Sequence, residues 1–219
     1  FTAVGMGDDG TQAVGDGGDI TITTESLSIT GGAEVSALTR GQGNAGNVTI
    51  NARDRVSLDG EKQSNGTPSQ IFTSVASNEY SGYPNLGQAV GDAGNITITT
   101  GSLSITGGAA LNALTRGQGN GGNVTINARE QVLIDGENSN GGASGVFSSV
   151  DVNAYTDQPP ARGDGGDITI STGSLSITTG AGLFANTKGE GNGGNVIINA
   201  RDQVLIDGEN SNGGASGIF

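Results

Sequence analysis

Cysteine and histidine are both absent from this sequence of 219 residues, and each absence removes several kinds of chemistry. Without thiols the chain forms no disulfide and offers no thiol nucleophile. Without imidazole it has neither a zinc site of the usual kind nor a catalytic triad that uses histidine. The sequence also has no apolar run near the ~18 residues of a membrane-spanning helix, so we expect no membrane insertion.

Basic residues are scarce. The chain carries 9 Lys and Arg against 22 Asp and Glu, which gives a formal net charge of −13. Proteins that bind nucleic acid place clustered cations against phosphates, and anionic membrane surfaces attract cations in the same way. We therefore expect neither nucleic acid nor an anionic membrane surface as a partner.

Hydrophobic residues make up only 32% of the chain, which has 42 Gly and 4 Pro. This composition disfavours a thick conventional core but allows a thin core that extends in one direction. Gly and β-branched residues also disfavour helices. Because the sequence starts at Phe1 without a signal peptide, we expect it to be a piece of a longer protein.

A glycine-rich turn that leads into an alternating strand occurs six times, first as GDGGDITIT in residues 15–23. In every copy an Asp or Asn precedes an Ile or Val, at spacings of 28, 48, 28, 44 and 28 residues. A fixed period of this kind indicates a repeat array. Gly adopts sharp corners without steric cost, and Asp and Asn also tolerate them, so we predict a structural ladder in this turn. Its members are Asp19, Asn47, Asn95, Asn123, Asp167 and Asn195.

The segments after each turn alternate apolar with small polar residues, which is the pattern of a half-buried β-strand. In the first repeat this predicts three strands, at 19–22, 27–29 and 35–38. A unit of this size cannot bury its apolar face alone, whereas stacked units bury a continuous core. The sequence thus predicts an all-β fold, a parallel β-helix or β-solenoid of about six three-strand coils. Ile20 and Ile22 should point into its core.

Phenylalanines mark a longer, two-coil repeat of 71–76 residues. It divides one continuous array over residues 1–219 into units of roughly 1–71, 72–146 and 147–218. Strand alternation would leave these rings outside if their neighbours face inward, but Phe is more often a core residue. We therefore expect the rings to point inward. The four positions are Phe1, Phe72, Phe147 and Phe219.

Three loops, at residues 5–15, 76–91 and 151–163, vary while the frame around them repeats. Loops that project from a rigid scaffold commonly carry recognition. The tyrosines in these loops are therefore the candidate recognition residues. The alternative interpretation is that the loops are surface segments without a role in recognition. They are Tyr80, Tyr83 and Tyr155.

The segments GDGGDITITT, SLSITGGA, ALTRGQGNAGNVTINARD and VLIDG resemble the repeats of filamentous-haemagglutinin-like bacterial exoproteins, in particular cyanobacterial members. The resemblance covers essentially the whole chain. It implies a right-handed β-helical rod, exported by two-partner secretion to the cell surface or the extracellular space. It also implies a structural role in adhesion or in an extracellular layer, and it brings no catalytic residues. The expected partners are further copies end to end, a longer solenoid, or a surface or matrix polysaccharide.

Calcium is the one cofactor that the acidic residues suggest. The order Gly-Gly-Asp-Ile differs from the calcium-binding nonapeptide repeat, and Asn replaces Asp in four of six copies. Because Ca²⁺ prefers six to eight oxygen ligands, we expect no cofactor, with calcium as the weaker alternative. The metal candidates are Asp16, Asp19, Asp164 and Asp167.

Outward positions on the first predicted strands carry Thr, Ser and Asn, which do not ionise, whereas glycoside hydrolysis requires paired carboxylates. The repeated pair Arg53-Asp54 has the character of a solvated surface ion pair. We therefore expect no enzymatic activity, and a polysaccharide-degrading β-helix enzyme is only a remote alternative. An ice-binding threonine face is a remote alternative that Asn51, Asn127 and Ile197 interrupt, and Asn65 is a candidate for glycosylation.

Overall fold

The computed structural model describes residues 2–5, 13–76, 89–151 and 160–219. Within these ranges the protein is all-β, as predicted, and no helix there is long and apolar enough to cross a membrane. The strands are, in chain order, β1 (Thr2–Val4), β2 (Ala13–Val14), β3 (Ile20–Thr30), β4 (Glu34–Thr39), β5 (Gly41–Gln42), β6 (Val48–Asp59), β7 (Glu61–Lys62), β8 (Thr67–Pro68), β9 (Gln70–Ala76), β10 (Ile96–Thr106), β11 (Ala110–Arg116), β12 (Val124–Asp135), β13 (Gly145–Val150), β14 (Ile168–Thr178), β15 (Gly182–Phe184), β16 (Val196–Asp207) and β17 (Gly217–Ile218).

Six long strands form the first sheet, where β3, β6, β10, β12, β14 and β16 lie side by side in chain order. Every pairing is parallel and keeps the same phase of the repeat. Alternate apolar residues therefore stack in columns, such as the fully buried Val48, Ile96 and Val124. The predicted parallel pairing of successive repeats is confirmed. We number the repeats units 1 to 6, each starting at the glycine-rich turn before its long strand, which is residues 15–19 in unit 1.

Each long strand joins two of the predicted strands into one. Strand β3 runs without a break from Ile20 to Thr30, so the turn expected between 19–22 and 27–29 is absent from it. The junction is a β-bulge, because β6, β12 and β16 have 12 residues where their partners have 11. The junction stays extended, with exposed polar side chains at Arg53, Asp54 and Arg55 in β6 and a buried Thr100 in β10. The prediction of separate strands was therefore wrong.

The second sheet contains the shorter strands β1, β4, β9, β11, β13, β15 and β17, again in chain order and all parallel. Its fully buried inward residues include Ile71, Leu111 and Val146. Phe72 and Phe147 are the next residues along β9 and β13, so they face outward and stay partly exposed. The expectation that they point inward was wrong, because aliphatic and small polar residues fill the inward positions. Phe1 lies outside the described residues.

A third, narrow ladder completes units 1 to 5. Strands β2 and β5 pair in parallel, and single-residue bridges continue from Gln42 through Val90, Gln118 and Arg162 to Glu190. In units 1 to 5 the chain therefore passes from the first sheet to the second, and then through this ladder to the next long strand. The apolar core lies between the two large sheets. Units 2 to 5 bury it most completely, whereas unit 6 leaves Val204 46% exposed.

The corner between the two large sheets alternates in form. Units 1 and 3 turn on a glycine pair, as at Gly107 and Gly108 with φ of 61° and 81°, whereas units 2, 4 and 6 form small hairpins. Hairpins two units apart are linked by hydrogen bonds, since the Ser139 N–H donates to Glu61 Oε1 (3.3 Å) and the Ser211 N–H to Glu137 Oε1 (3.1 Å). This alternation gives the stack its two-unit repeat.

Candidate functional site

The glycine corner comprises residues 15–19 and their equivalents before each long strand. The predicted ladder residues lie one above another there, and the backbone N–H of each donates to Oδ1 of the residue in the unit before it. Asn47 N to Asp19 Oδ1, for example, is 2.7 Å, and Asn95 N to Asn47 Oδ1 is 2.9 Å. The same bond continues through Asn123, Asp167 and Asn195. We call this column the strand-side ladder.

A second column runs parallel to the first, three residues earlier in each repeat. Its N–H to Oδ1 distances are 2.7 to 2.9 Å. The sequence prediction missed this loop-side ladder, although Asp and Asn alternate strictly along it and that alternation was a readable signal. Its members are Asp16, Asn44, Asp92, Asn120, Asp164 and Asn192.

Glycine between the ladders is required by close packing of the backbone. A Cβ on Gly94 would lie 1.9 Å from the carbonyl oxygen of Gly46, and one on Gly122 would lie 2.0 Å from that of Gly94. These distances are far below van der Waals contact, so no larger residue fits unless the backbone moves. The corner therefore keeps consecutive units in close contact along the whole stack.

Buried hydroxyls secure the corner against the second sheet. Thr39 Oγ1 donates to the carbonyl of Asn44 (2.7 Å), and Thr115 Oγ1 donates to that of Asn120 (2.7 Å). Thr73 and Ser148 make the same kind of bond to glycine carbonyls of the corner, at 2.6 Å. The carbonyls of Asn44 and Asn120 also accept a backbone N–H, from Gly17 (2.8 Å) and Ala93 (2.9 Å), so the inward hydroxyls add a second hydrogen bond there and tie the corner to the second sheet. Sequence reasoning missed them because it treated inward positions as apolar.

The aspartates proposed as calcium ligands do not come together. Asp16 and Asp19 lie in unit 1, and three units separate them from Asp164 and Asp167. Their Oδ1 atoms already accept backbone hydrogen bonds. Among the described residues no group of three or more acidic side chains is arranged to hold a metal. This donor set does not fit a calcium shell of six to eight oxygens.

The bulge of the first sheet carries the repeated arginine and acid pair. Arg53 Nε lies 3.0 Å from Asp54 Oδ1, and the same pair forms between Arg201 and Asp202. The hydrogen bond from arginine lowers the pKa of Asp54 and of Asp202 below the usual value for Asp. These groups are fully exposed, so they stabilise the fold only slightly.

An aromatic stack lies on the outer face of the second sheet. The rings of Phe147 and Phe184 are parallel within 2° with centroids 4.7 Å apart, and those of Phe184 and Phe219 follow at 4.9 Å. Phe184 was not among the predicted Phe positions, because it occurs in unit 5 and breaks the two-unit period. Beside this stack lies a groove that bears on ligand binding.

The predicted recognition tyrosines, Tyr80, Tyr83 and Tyr155, lie outside the described residues. Asn65 is exposed in the hairpin of unit 2, where its Oδ1 accepts a hydrogen bond from Thr67 Oγ1 (2.9 Å). On the first sheet, the outward threonines form one column of five that ends at Ile197. Comparison of the chain with protein-family models, curated proteins and solved structures finds no match.

Proposed function

We propose that this chain is a segment of an extracellular rod that acts as a spacer or fibre in surface adhesion or in an extracellular layer. The observation that carries the proposal is the constant register of the first sheet from unit 1 to unit 6. Repeats that contact only their neighbours extend in one direction, and their length grows with their number. The segments that vary in sequence would then be carried by a frame that does not change.

The proposed architecture of the rod is a right-handed parallel β-helix. In every complete unit the chain visits the first sheet, the second sheet and the narrow ladder in the same order, which supports a closed path around one core. We assign the right hand because parallel crossover connections within one sheet are right-handed in about 98% of cases. Each turn of this path would be one coil.

Further repeats are the proposed partners of the outermost strands. Strands β3 and β16 each have a parallel neighbour on one side only, and such edges favour further strand pairing. Ile206, on β16, is 42% exposed, whereas its equivalent Ile134 is fully buried beneath unit 5. A further repeat would cover this surface, whether it belongs to the same polypeptide or to a second copy.

Export rests on the sequence resemblance described above, which supports two-partner secretion to the cell surface or beyond. Antibodies against residues 1–219 should label intact, unpermeabilised cells of the source organism. Signal that requires permeabilisation would contradict an extracellular location.

Rod growth is tested with a tandem fusion of residues 1–218 followed by 1–219. In this fusion Phe1 of the second copy takes the position of Phe219, so the repeat continues without interruption. Small-angle scattering should show the length increasing by about 29 Å per added copy, from six coils at ~4.8 Å, with an unchanged cross-section. Two copies joined by a flexible glycine and serine linker serve as the matched control. A fusion with the same dimensions as this control would contradict the proposal.

A further inference from the structure

A groove crosses the outer face of the second sheet at β11, β13 and β15. Outward residues alternate along these strands, so the aromatic pair Phe147 and Phe184 forms one wall, Asp151, Lys188 and Arg116 form the opposite wall, and Asn186 lies between them on the floor. Equivalent residues of successive strands lie opposite one another, so the groove runs along the stack rather than along a strand. Its volume of about 380 Å³ is within the range of ligand sites. We call it the axial groove.

The aromatic wall presents ring edges. Phe147 and Phe184 cover each other's faces at a centroid distance of 4.7 Å, which leaves the edges of the rings to line the groove. An aromatic edge is apolar but slightly positive, because the ring quadrupole places negative charge on the faces. Such a wall accepts C–H groups by apolar contact and oxygen lone pairs by electrostatic attraction.

The opposite wall and the floor offer hydrogen-bond donors and acceptors side by side. Lys188 Nζ lies 3.2 Å from Asp151 Oδ1, and the lysine remains 59% exposed. The Asn186 side chain, on the floor, makes no hydrogen bond to the part of the chain that the structure describes. Vicinal hydroxyls of a sugar donate and accept at once, and adjacent amide, carboxylate and ammonium groups can satisfy both functions.

Charge decides between neutral and acidic ligands. The net charge of −13 repels polyanions at long range. Two cations line the groove, Lys188 and Arg116, and both already interact with the chain, Lys188 through its ion pair with Asp151. A purely apolar ligand would leave the polar floor and wall without partners, which is costly. We propose that the axial groove binds a segment of a linear, neutral polysaccharide that lies across β11, β13 and β15. This proposal concerns a single copy of the chain and does not depend on the growth of the rod.

The test is a titration of the full chain with three neutral tetrasaccharides, cellotetraose, maltotetraose and laminaritetraose, followed by NMR or calorimetry. Tetragalacturonate provides the acidic comparison. We expect at least one neutral tetrasaccharide to bind and to bind better than tetragalacturonate. Asn186→Ala should weaken that binding roughly 3- to 10-fold, the effect of one lost hydrogen bond. Phe184→Leu, which keeps an apolar side chain without the ring, should also weaken it.

The matched control is Asn127→Ala, which removes an exposed amide from the outer face of the first sheet and should leave binding unchanged. Circular dichroism and thermal unfolding establish that each variant is folded. The proposal is overturned if no neutral tetrasaccharide binds at millimolar concentration, or if tetragalacturonate binds best. It is also overturned if folded Asn186→Ala and Phe184→Leu bind as the parent does.

Discussion

Residues 131–145 and 203–217 have identical sequences but different surroundings, one in unit 4 and the other in unit 6. Their local structures agree: the Gly142 and Gly214 N–H groups each donate to an Asn Oδ1 at 2.7 Å. Their burial differs widely, since Val132 is 1% exposed and Val204 46%. Local sequence therefore determines the backbone path, whereas the adjacent unit determines how much apolar surface leaves water.

The largest expected effect tests this difference in burial directly. Ile134→Ala should lower the free energy of unfolding by about 2–5 kcal/mol, because it removes buried methyl groups and leaves a cavity. Ile206→Ala, the same change in the same sequence, should cost about 1 kcal/mol or less, since that side chain is already partly in water. Urea unfolding at low protein concentration measures both. Equal losses would mean that unit 6 is covered by another molecule in solution.

Steric contact at the glycine corner should give the next largest difference. Gly122→Ala places a Cβ 2.0 Å from the Gly94 carbonyl oxygen, so the corner must open at a cost of about 1–3 kcal/mol. Gly18, the equivalent residue of unit 1, has only the Thr2 side chain nearby, at 3.7 Å. Gly18→Ala should therefore change the free energy of unfolding by less than about 0.5 kcal/mol. Comparable losses at both positions would contradict a steric origin.

The strand-side ladder should show a smaller difference in stability between a substitution inside the stack and one at its last member. Asn95→Ala removes the acceptor of the Asn123 N–H, at 2.8 Å, and should cost about 1 kcal/mol. The exposed Asn195 amide donates to Asp167 Oδ1 (2.9 Å), which also accepts from the Asn195 N–H, but it accepts from no following unit. Asn195→Ala therefore leaves no backbone N–H of the ladder without its acceptor and should cost less. Asn95→Asp retains the acceptor and serves as the control. If thermal unfolding shows that Asn95→Asp is as destabilising as Asn95→Ala, the amide group rather than the acceptor oxygen stabilises the ladder.

The smallest effect should have the same direction in both units, because the largest cause, the hydrogen bond from the neighbouring arginine, lies within one unit. Arginine lowers the pKa of both Asp54 and Asp202. An aspartate whose pKa is lowered by folding stabilises the fold at pH values above the usual pKa of Asp. That stabilisation is lost as the pH falls through the folded-state pKa. An NMR titration should find both midpoints below the usual value. Arg53→Gln should raise the midpoint of Asp54 alone, and a parallel rise at Asp202 would contradict a local cause.

Much of the fold follows from the sequence because two signals agree, the period of the glycine turns and the alternation of apolar residues. Together they predicted the parallel pairing and the inward columns. The long strands were missed because a bulge leaves no residue signature as clear as a glycine turn. The outward Phe residues were missed because a preference for burial was given more weight than the alternation through Ile71 and Val146.

The candidate sites were less predictable, since they depend on residues that are distant in the chain. The axial groove combines residues of units 3, 4 and 5, and no local motif records that they share one face. Buried hydroxyls such as Thr73 were missed because their partners are carbonyls of another unit's corner. The loop-side ladder, by contrast, was present in the sequence as an alternation of Asp with Asn.

Arg129 links units that are not adjacent. Its Nη2 donates to the carbonyl of Arg53, two units earlier in the chain (2.6 Å). The arginine side chain passes over Gly101 of the unit between them, where a Cβ would lie 3.1 Å from Nη2. Insertion of a single 28-residue unit would disturb the alternation of arginine-bearing and glycine-bearing bulges on which this contact depends. Duplication of two units together preserves every such contact. The gene for such a protein would thus lengthen most readily in blocks of about 72 to 76 residues, and length variants should differ by whole pairs of units.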